Sequence, residues 1–467
     1  MRKVPTFICG LAVAACGATA LADHCDLQYN FSLGTPGPAV SNSFSSNYVS
    51  MFRDSDVGSP GTRKLFVGGS FDTIGGVAGT SGIATWDGST FAPVGNGLYL
   101  IDMVPFGDPN AVPVYSTPQV NAAIEFQGNL YIGGQFDGTD TGVVSRGVIR
   151  WTGTAYESVN LKDVDVGTYV VNAFAIYKGD LYAGGNFQTL GTAASAPCIA
   201  KYDPIANDWS AVAGSAPTTA GTNVFDLQVY NDGSGEKLYA CGNFAQMGGM
   251  GATTKHIAVF DGTSWANVGG GYTSSGPSAY PRDFVVFDDG TGPALYAAGG
   301  LGLTSGNSTF SAVNRWNGKS WKPMPGFLDD PAITSATVRS IGLYNDGTGT
   351  TMLADVRFFG SVPGGRARMA RFENFRFNEI PASALGDATS GNSAIFEMFQ
   401  YDDGSGSKLF IGGNFTSVNG TPANRIATIT GCTPVPTVNP CPADFNGGGL
   451  SVQDIFDFLN AWFAGCP

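Results

Sequence analysis

Histidine is nearly missing: the 467 residues contain two, His24 and His256. A catalytic metal centre built from several imidazoles is therefore excluded. Positive charge is also scarce, with 24 Lys and Arg against 37 Asp and Glu and a net charge of −13. The basic footprint that nucleic acid or an anionic membrane requires is not there. Charged residues of both signs reach only 13%, about half the usual quarter. No apolar run beyond the first segment approaches the roughly 20 residues of a membrane span. No G-x-S-x-G occurs, and no glycine pair is followed by the Lys-Ser of a phosphate loop.

Glycine is abundant instead, at 67 residues, with 43% apolar and 12% aromatic content. That apolar surface is enough to bury, so the glycine signals turn-rich β-structure and not disorder. Residues 1–22 combine a basic start (Arg2, Lys3), an apolar stretch from Phe7 to Cys16, and small residues at Ala20 and Ala22. This is the pattern of a secretory signal peptide, and the mature chain is expected to be secreted or displayed at the cell surface. Six of the eight cysteines follow it. In an oxidising compartment an even number points to disulfides.

A short apolar strand ending in a Gly-rich turn recurs along the chain. The copies are KLFVGGSF from Lys64, NLYIGGQF from Asn129, DLYAGGNF from Asp180, KLYACGNF from Lys237, ALYAAGGL from Ala294 and KLFIGGNF from Lys408, with MLADVRFF from Met352 degenerate. Aligned on Leu65, Leu130, Leu181, Leu238, Leu295, Leu353 and Leu409, the spacings are 65, 51, 57, 57, 58 and 56. In four copies an alternating run and an Asp-Gly turn precede it, at Asp232, Asp289, Asp346 and Asp403, a strong hairpin signal. After it an aromatic pair brackets a second turn: Trp86 with Phe91, Trp151 with Tyr156, Tyr202 with Trp209, Phe260 with Trp265, Trp316 with Trp321, Phe372 with Phe377. Four antiparallel strands per unit and seven units predict an all-β fold, a seven-bladed β-propeller over residues 23–434.

The seventh unit stops before a fourth strand, and an orphan strand-like segment, CDLQYNFSLG from Cys25 to Gly34, precedes the first. If that segment completes the last blade, Cys25 lies near Cys432 and a disulfide can lock the ring. Such a lock constrains the unfolded chain by about 3 to 5 kcal/mol. Cys198 is then expected to pair with Cys241, and Cys441 with Cys466.

The strand L-[YF]-x-G-G-x-F and the hairpin W-[DN]-G-x-x-W resemble the repeats of kelch and galactose-oxidase-like bacterial propellers. That resemblance implies the fold and no activity: the oxidases need a copper site of paired His and Tyr ligands, which His256 alone cannot supply. A Pro-containing linker, residues 435–440, leads to a different object at 441–467. There Ile455, Phe458, Leu459, Trp462 and Phe463 fall on one helical stripe. With DFNG and the terminal Gly465-Cys466, this segment resembles a GC-type dockerin-like tail of exported bacterial proteins. The resemblance implies attachment or sorting at the cell surface through a partner of the tail. It also implies a weak calcium loop from Asp444, Asn446 and Asp454, although Gly448 replaces an acid and Asp444 to Asp454 spans eleven residues, not twelve. In the alternative reading Asp444 caps a turn and Asp454 caps a helix.

Arg357, Arg366, Arg368 and Arg371 cluster in the sixth repeat, as a solvated face or a local anion site. The Asp-Gly residues are read as turns, and the aromatic pairs as packing between blades. The expected function is a binding or structural module with a glycan or protein ligand, no nucleic-acid partner, and no cofactor beyond calcium in the tail. The alternative is a polysaccharide-active enzyme whose acids meet at the propeller axis. Two or three convergent carboxylates with raised pKa in the channel favour the enzyme, and an aromatic or featureless rim favours binding.

Overall fold

The computed structural model describes residues 28–430, apart from the segments 35–36, 40–46, 104–113, 160–168, 192–195, 216–221, 248–253, 272–279, 301–310, 328–332, 348, 361–365, 381–382 and 387–392. The signal segment, Cys25, Cys432, Cys441, Cys466, the calcium candidates Asp444, Asn446 and Asp454, and the expected tail helix lie outside the described residues.

Among the described residues the protein is all-β with no α-helix, built from four-stranded antiparallel sheets. Their first strands are Tyr48–Ser55, Gln119–Phe126, Tyr169–Tyr177, Val224–Asn231, Pro281–Asp288, Ile333–Asn345 and Ile395–Asp402; the sheets are numbered I to VII in that order. Each first strand packs beside the next, and that of sheet VII packs beside that of sheet I, so the series closes on itself in a propeller-like ring. Sheets I and II also share one bridging pair, Ser70 with Gln119. The strand Gln28–Asn30 adds to the outer edge of sheet VII beside Ile426–Thr430, as the missing fourth strand of the last repeat predicts.

The core lies between sheets. Val49, Phe52, Leu65 and Val67 of sheet I pack with Tyr401, Phe410 and Ile426 of sheet VII, and comparable wedges join the other neighbours. Each buried side chain of this size contributes about 1.5–3 kcal/mol. The aromatic pairs sit directly opposite one another on the two outer strands. Ring centroids are 4.8 Å apart for Trp86–Phe91 and Trp151–Tyr156, and 5.3 Å for Phe372–Phe377. They are packing elements, as expected.

The Gly-Gly signature has two steric causes. The inner strand carries a β-bulge at the same place in every sheet, at Ser50, Asn121, Asn172, Phe225, Arg282, Arg339–Ser340 and Phe396. The glycine at the second position of this signature in the next strand lies under the backbone at that bulge; in sheets IV and V the first position is Cys241 or Ala298. A Cβ at Gly69, Gly134, Gly185, Gly242, Gly299 or Gly413 would run into a main-chain carbonyl oxygen of the inner strand. The first glycine faces the adjoining sheet: a Cβ on Gly133 would lie 2.7 Å from Val171 and 2.8 Å from Phe174. The degenerate sixth repeat is offset by one from the sequence alignment. Met352, not Leu353, occupies the leucine position, since Met352 opposes Leu343 as Leu238 opposes Val229. Met352 lies 57 residues beyond Leu295 and 57 before Leu409, so the last four intervals between repeats, from Leu181 to Leu409, become equal. Asp355 and Val356 then replace the two glycines.

The expected Cys198–Cys241 disulfide is not formed; both residues are free thiols. Alternation along the strands of sheet IV explains why. Cys241 and Tyr239 face sheet V, whereas Leu238 and Ala240 face sheet III and meet Cys198 there. The two sulfurs are on opposite faces of one sheet. Burial pushes the Cys198 thiol up to about 12 and the Cys241 thiol well above its ordinary value. Iodoacetamide should leave both unmodified in the native protein and alkylate both after denaturation without reductant; a crosslinked Cys198–Cys241 peptide would contradict this.

Gly134→Ala should destabilise the protein by about 3 kcal/mol, because only backbone can yield. Gly133→Ala should cost clearly less, since Ala298 occupies the equivalent position in sheet V. Urea unfolding of the two variants decides; equal losses would refute the steric assignment.

Candidate functional site in the axial cavity

A bulge leaves one residue out of the ladder and re-aims its side chain. Here the bulged residues Ser50, Asn121, Asn172, Phe225, Arg282, Arg339 and Phe396, one from each sheet, all line one cavity of about 540 Å³. Tyr48, Gln119, Asn223, Asp226, Asp283 and Glu397 complete much of its wall. A second cavity of about 290 Å³ shares Asn121, Asn172, Asp226, Asp283 and Glu397, and adds Arg53. The three carboxyl groups thus border both lobes of an axial passage.

On the side of sheets I to IV the polar groups satisfy one another. Ser50 Oγ donates to the Val120 carbonyl (2.8 Å), Asn121 Nδ2 to Asn172 Oδ1 (3.1 Å), and Asn172 Nδ2 to Asn223 Oδ1 (2.5 Å) and the Val224 carbonyl (2.9 Å). Tyr48 donates its hydroxyl proton to Gln119 Oε1 at 2.8 Å.

Two of the acids are braced by the neighbouring sheet. The Phe284 amide donates to Asp226 Oδ2 (2.9 Å) and the Ile341 amide to Asp283 Oδ2 (2.8 Å). The cavity leaves the three side chains partly exposed, yet protein surrounds them and bulk water is distant. Burial raises the Asp226 carboxyl above the ordinary range, with hydrogen bonds from the Leu227 and Phe284 amides opposing it. Burial, then the nearby Asp226 charge, raises Asp283. Burial raises Glu397 well above its ordinary value, with added repulsion from Asp283 and Asp226; Arg53 opposes the shift. Groups so coupled share protons and cannot all be ionised together. The passage therefore holds carboxyl groups whose protonated forms, able to donate as well as accept hydrogen bonds, persist above the ordinary carboxylate range.

The other sequence candidates are structural. Asp232, Asp289 and Asp403 accept from the turn residues Ser234, Thr291 and Ser405 and pair with Lys237 (3.2 Å), Arg315 (2.9 Å) and Lys408 (2.6 Å). Asp346 pairs with Arg371 at 3.1 Å. These are turns, as expected, and in Asp232, Asp289 and Asp403 both carboxylate oxygens are engaged. In the sixth-repeat arginine cluster, Arg368 pairs with Glu379 and Arg371 also with Glu373, while Arg357 lies over the Phe359 ring. His256 packs beside Tyr280, centroids 5.5 Å apart, and burial lowers its pKa. Among the described residues no group of three His, Cys, Asp or Glu is placed to hold a metal ion, and no helix is long and apolar enough to cross a membrane.

Sequence reasoning anticipated that acids could converge on the axis but could not say which. Asp226, Asp283 and Glu397 are the residue just after the bulge in their repeats. Only the bulge register reveals that position as axial.

Replacing Asp283 by Asn should flatten the fall of stability with pH. A carboxyl whose folded pKa is raised stays protonated after its unfolded counterpart ionises near pH 4. Stability then declines as pH rises from about 4 toward the folded pKa. Asp283→Asn should gain about 1–2 kcal/mol relative to the parent between pH 4 and pH 8. A variant equally destabilised at both pH values, by thermal unfolding, would contradict the assignment.

No protein-family model matches the chain, and no curated protein matches it. Among solved structures, the extracellular domain of a putative hybrid two component system from B. thetaiotaomicron gives a TM-score of 0.47 at 13% identity, covering 86% of this chain and 39% of that one. The chain thus spans about two-fifths of that protein's length. A GH43 β1,3-galactosidase, determined with galactodeoxynojirimycin, gives 0.26 at 9% identity over 55% of this chain and 88% of that one. An endo-1,5-α-L-arabinanase from Thermotoga petrophila gives 0.24 at 11% identity over 84% and 99%. At these scores the likenesses establish neither a shared fold nor a shared activity. The architecture rests on strand pairing, and the site on its own residues.

Proposed function

We propose that the protein is an exported seven-bladed β-propeller that binds a hydroxyl-rich ligand, the end of a glycan, in its axial cavity. The signal-like segment and the dockerin-like tail support the proposed export and surface sorting. The observation that carries the binding role is the convergence of Asn121, Asn172, Asn223, Asp226, Asp283 and Glu397 on one cavity of about 540 Å³. Amides and protonated carboxyls are both donors and acceptors, which sugar hydroxyls require. The aromatic side chains of Tyr48, Phe225 and Phe396 add apolar surface to the same wall.

The second reading, glycoside cleavage, is favoured by the three coupled carboxyl groups with raised pKa. A carboxyl protonated at neutral pH can serve as general acid, and an ionised neighbour as base or nucleophile.

A glycan array on the full-length protein, followed by calorimetry on the best oligosaccharide, tests the proposal. Asp283→Asn and Glu397→Gln should each weaken binding about tenfold or more, the loss of one buried hydrogen bond to ligand. Release of new reducing ends by the parent but not by these variants would assign cleavage. Absence of any glycan binding and any release would overturn both readings.

A further inference from the structure

Four consecutive bulge positions, in sheets IV to VII, carry Phe225, Arg282, Arg339 and Phe396: two cations flanked by two aromatic rings. The Arg282 guanidinium carbon lies 5.1 Å from the Phe225 centroid and 5.9 Å from that of Tyr280. The Arg339 guanidinium carbon lies 4.9 Å from the Phe396 centroid. The rings hold the flat faces of the guanidiniums and leave their N–H edges free. Among the described residues neither group has a hydrogen-bond or ion-pair partner, and Arg282 Nε is buried without one. Arg63, Arg150, Arg315, Arg368 and Arg371 instead each hold a carboxylate; Arg357, over the Phe359 ring, shares the unpartnered state but does not line the cavity.

Their charges are not cancelled by the acids nearby. The carboxylate that most affects Arg339 is Asp355, which lies beyond ion-pair reach, and burial pushes its carboxyl up to about 8. Arg282 feels Arg339 as its main charged neighbour. Two like charges side by side at the wall of a cavity are unfavourable until an anion lies between them.

We propose that Arg282 and Arg339 form an anion subsite of the axial cavity, and that the glycan taken there is acidic, with a carboxylate or sulfate ester held by both guanidiniums. The inference rests on the reading of the cavity as a glycan site and names its ligand class. A planar guanidinium grips such a group through two parallel hydrogen bonds. The amide-lined arc of Asn121, Asn172 and Asn223 across the cavity then meets the hydroxyls of the same sugar unit, which fixes its orientation.

Calorimetry of the full-length protein with three probes tests this: an oligogalacturonate, the same oligomer methyl-esterified, and a sulfated galactan oligosaccharide. Either acidic probe should bind at least tenfold more tightly than the neutral ester, and the sulfate-versus-uronate preference identifies the group. In the Arg282→Gln, Arg339→Gln double variant that advantage should vanish, and the Lys versions should recover part of it. Equal binding of acidic and neutral probes by the parent, a comparison that needs no variant, overturns the anion subsite and leaves glycan binding standing. An acidic preference that survives in the double variant overturns it equally. No binding of any probe overturns this inference together with the reading on which it rests.

Discussion

The structure depends on one recurring constraint: the inner strand of each sheet is bulged at a fixed place, and that bulge needs a residue without a side chain beneath it. Six of the seven sheets meet the need with a glycine, which is the second of a Gly-Gly pair in sheets I, II, III and VII and follows Cys241 and Ala298 in sheets IV and V. The first position of the pair then faces the adjoining sheet and sets how closely it packs. One dipeptide thus fixes both the bend of the inner strand and the approach of its neighbour. Repetition of that geometry, sheet after sheet, brings the last inner strand beside the first.

The same bulge directs side chains to the axis and so couples architecture to chemistry. In sheets I to III the axial residues are small and polar, and they join adjacent strands through side-chain hydrogen bonds. In sheets IV to VII they are aromatic or cationic, and in sheets IV, V and VII an acid stands one residue further along. Asp226 and Asp283 accept from backbone amides of the next sheet; burial raises the pKa of all three acids, and mutual repulsion adds to the shift of Asp283 and Glu397. Placing so many ionisable groups where water is limited destabilises the fold. The proposed ligand would offset that cost by engaging the carboxyls and the unpartnered guanidiniums.

Much of the fold was legible in the sequence. The Asp-Gly turns, the aromatic pairs and the leucine period predicted four strands per unit, and the incomplete last unit predicted an N-terminal strand in its sheet. The sixth repeat was misaligned by one residue because Leu353 looks like the conserved leucine, and only strand register shows Met352 there. The Cys198–Cys241 pairing failed on strand alternation, which separates residues close in repeat count onto opposite faces. The axial residues were not legible because VFDL, PRDF and IFEM read as ordinary amphipathic strand. Their bulge shifts the facing of each side chain, and a bulge has no signature in a single strand's composition.

The central claim is that the inner-strand bulges gather Asp226, Asp283 and Glu397 into one proton-sharing cluster on the axis. Carboxyl carbon-13 NMR titration of Asp- and Glu-labelled protein tests it directly, with Asp226→Asn, Asp283→Asn and Glu397→Gln to assign the signals. The account predicts three carboxyls titrating above the ordinary carboxylate range, each shifted when either of the others is replaced. Three resonances titrating independently near pH 4 would contradict it.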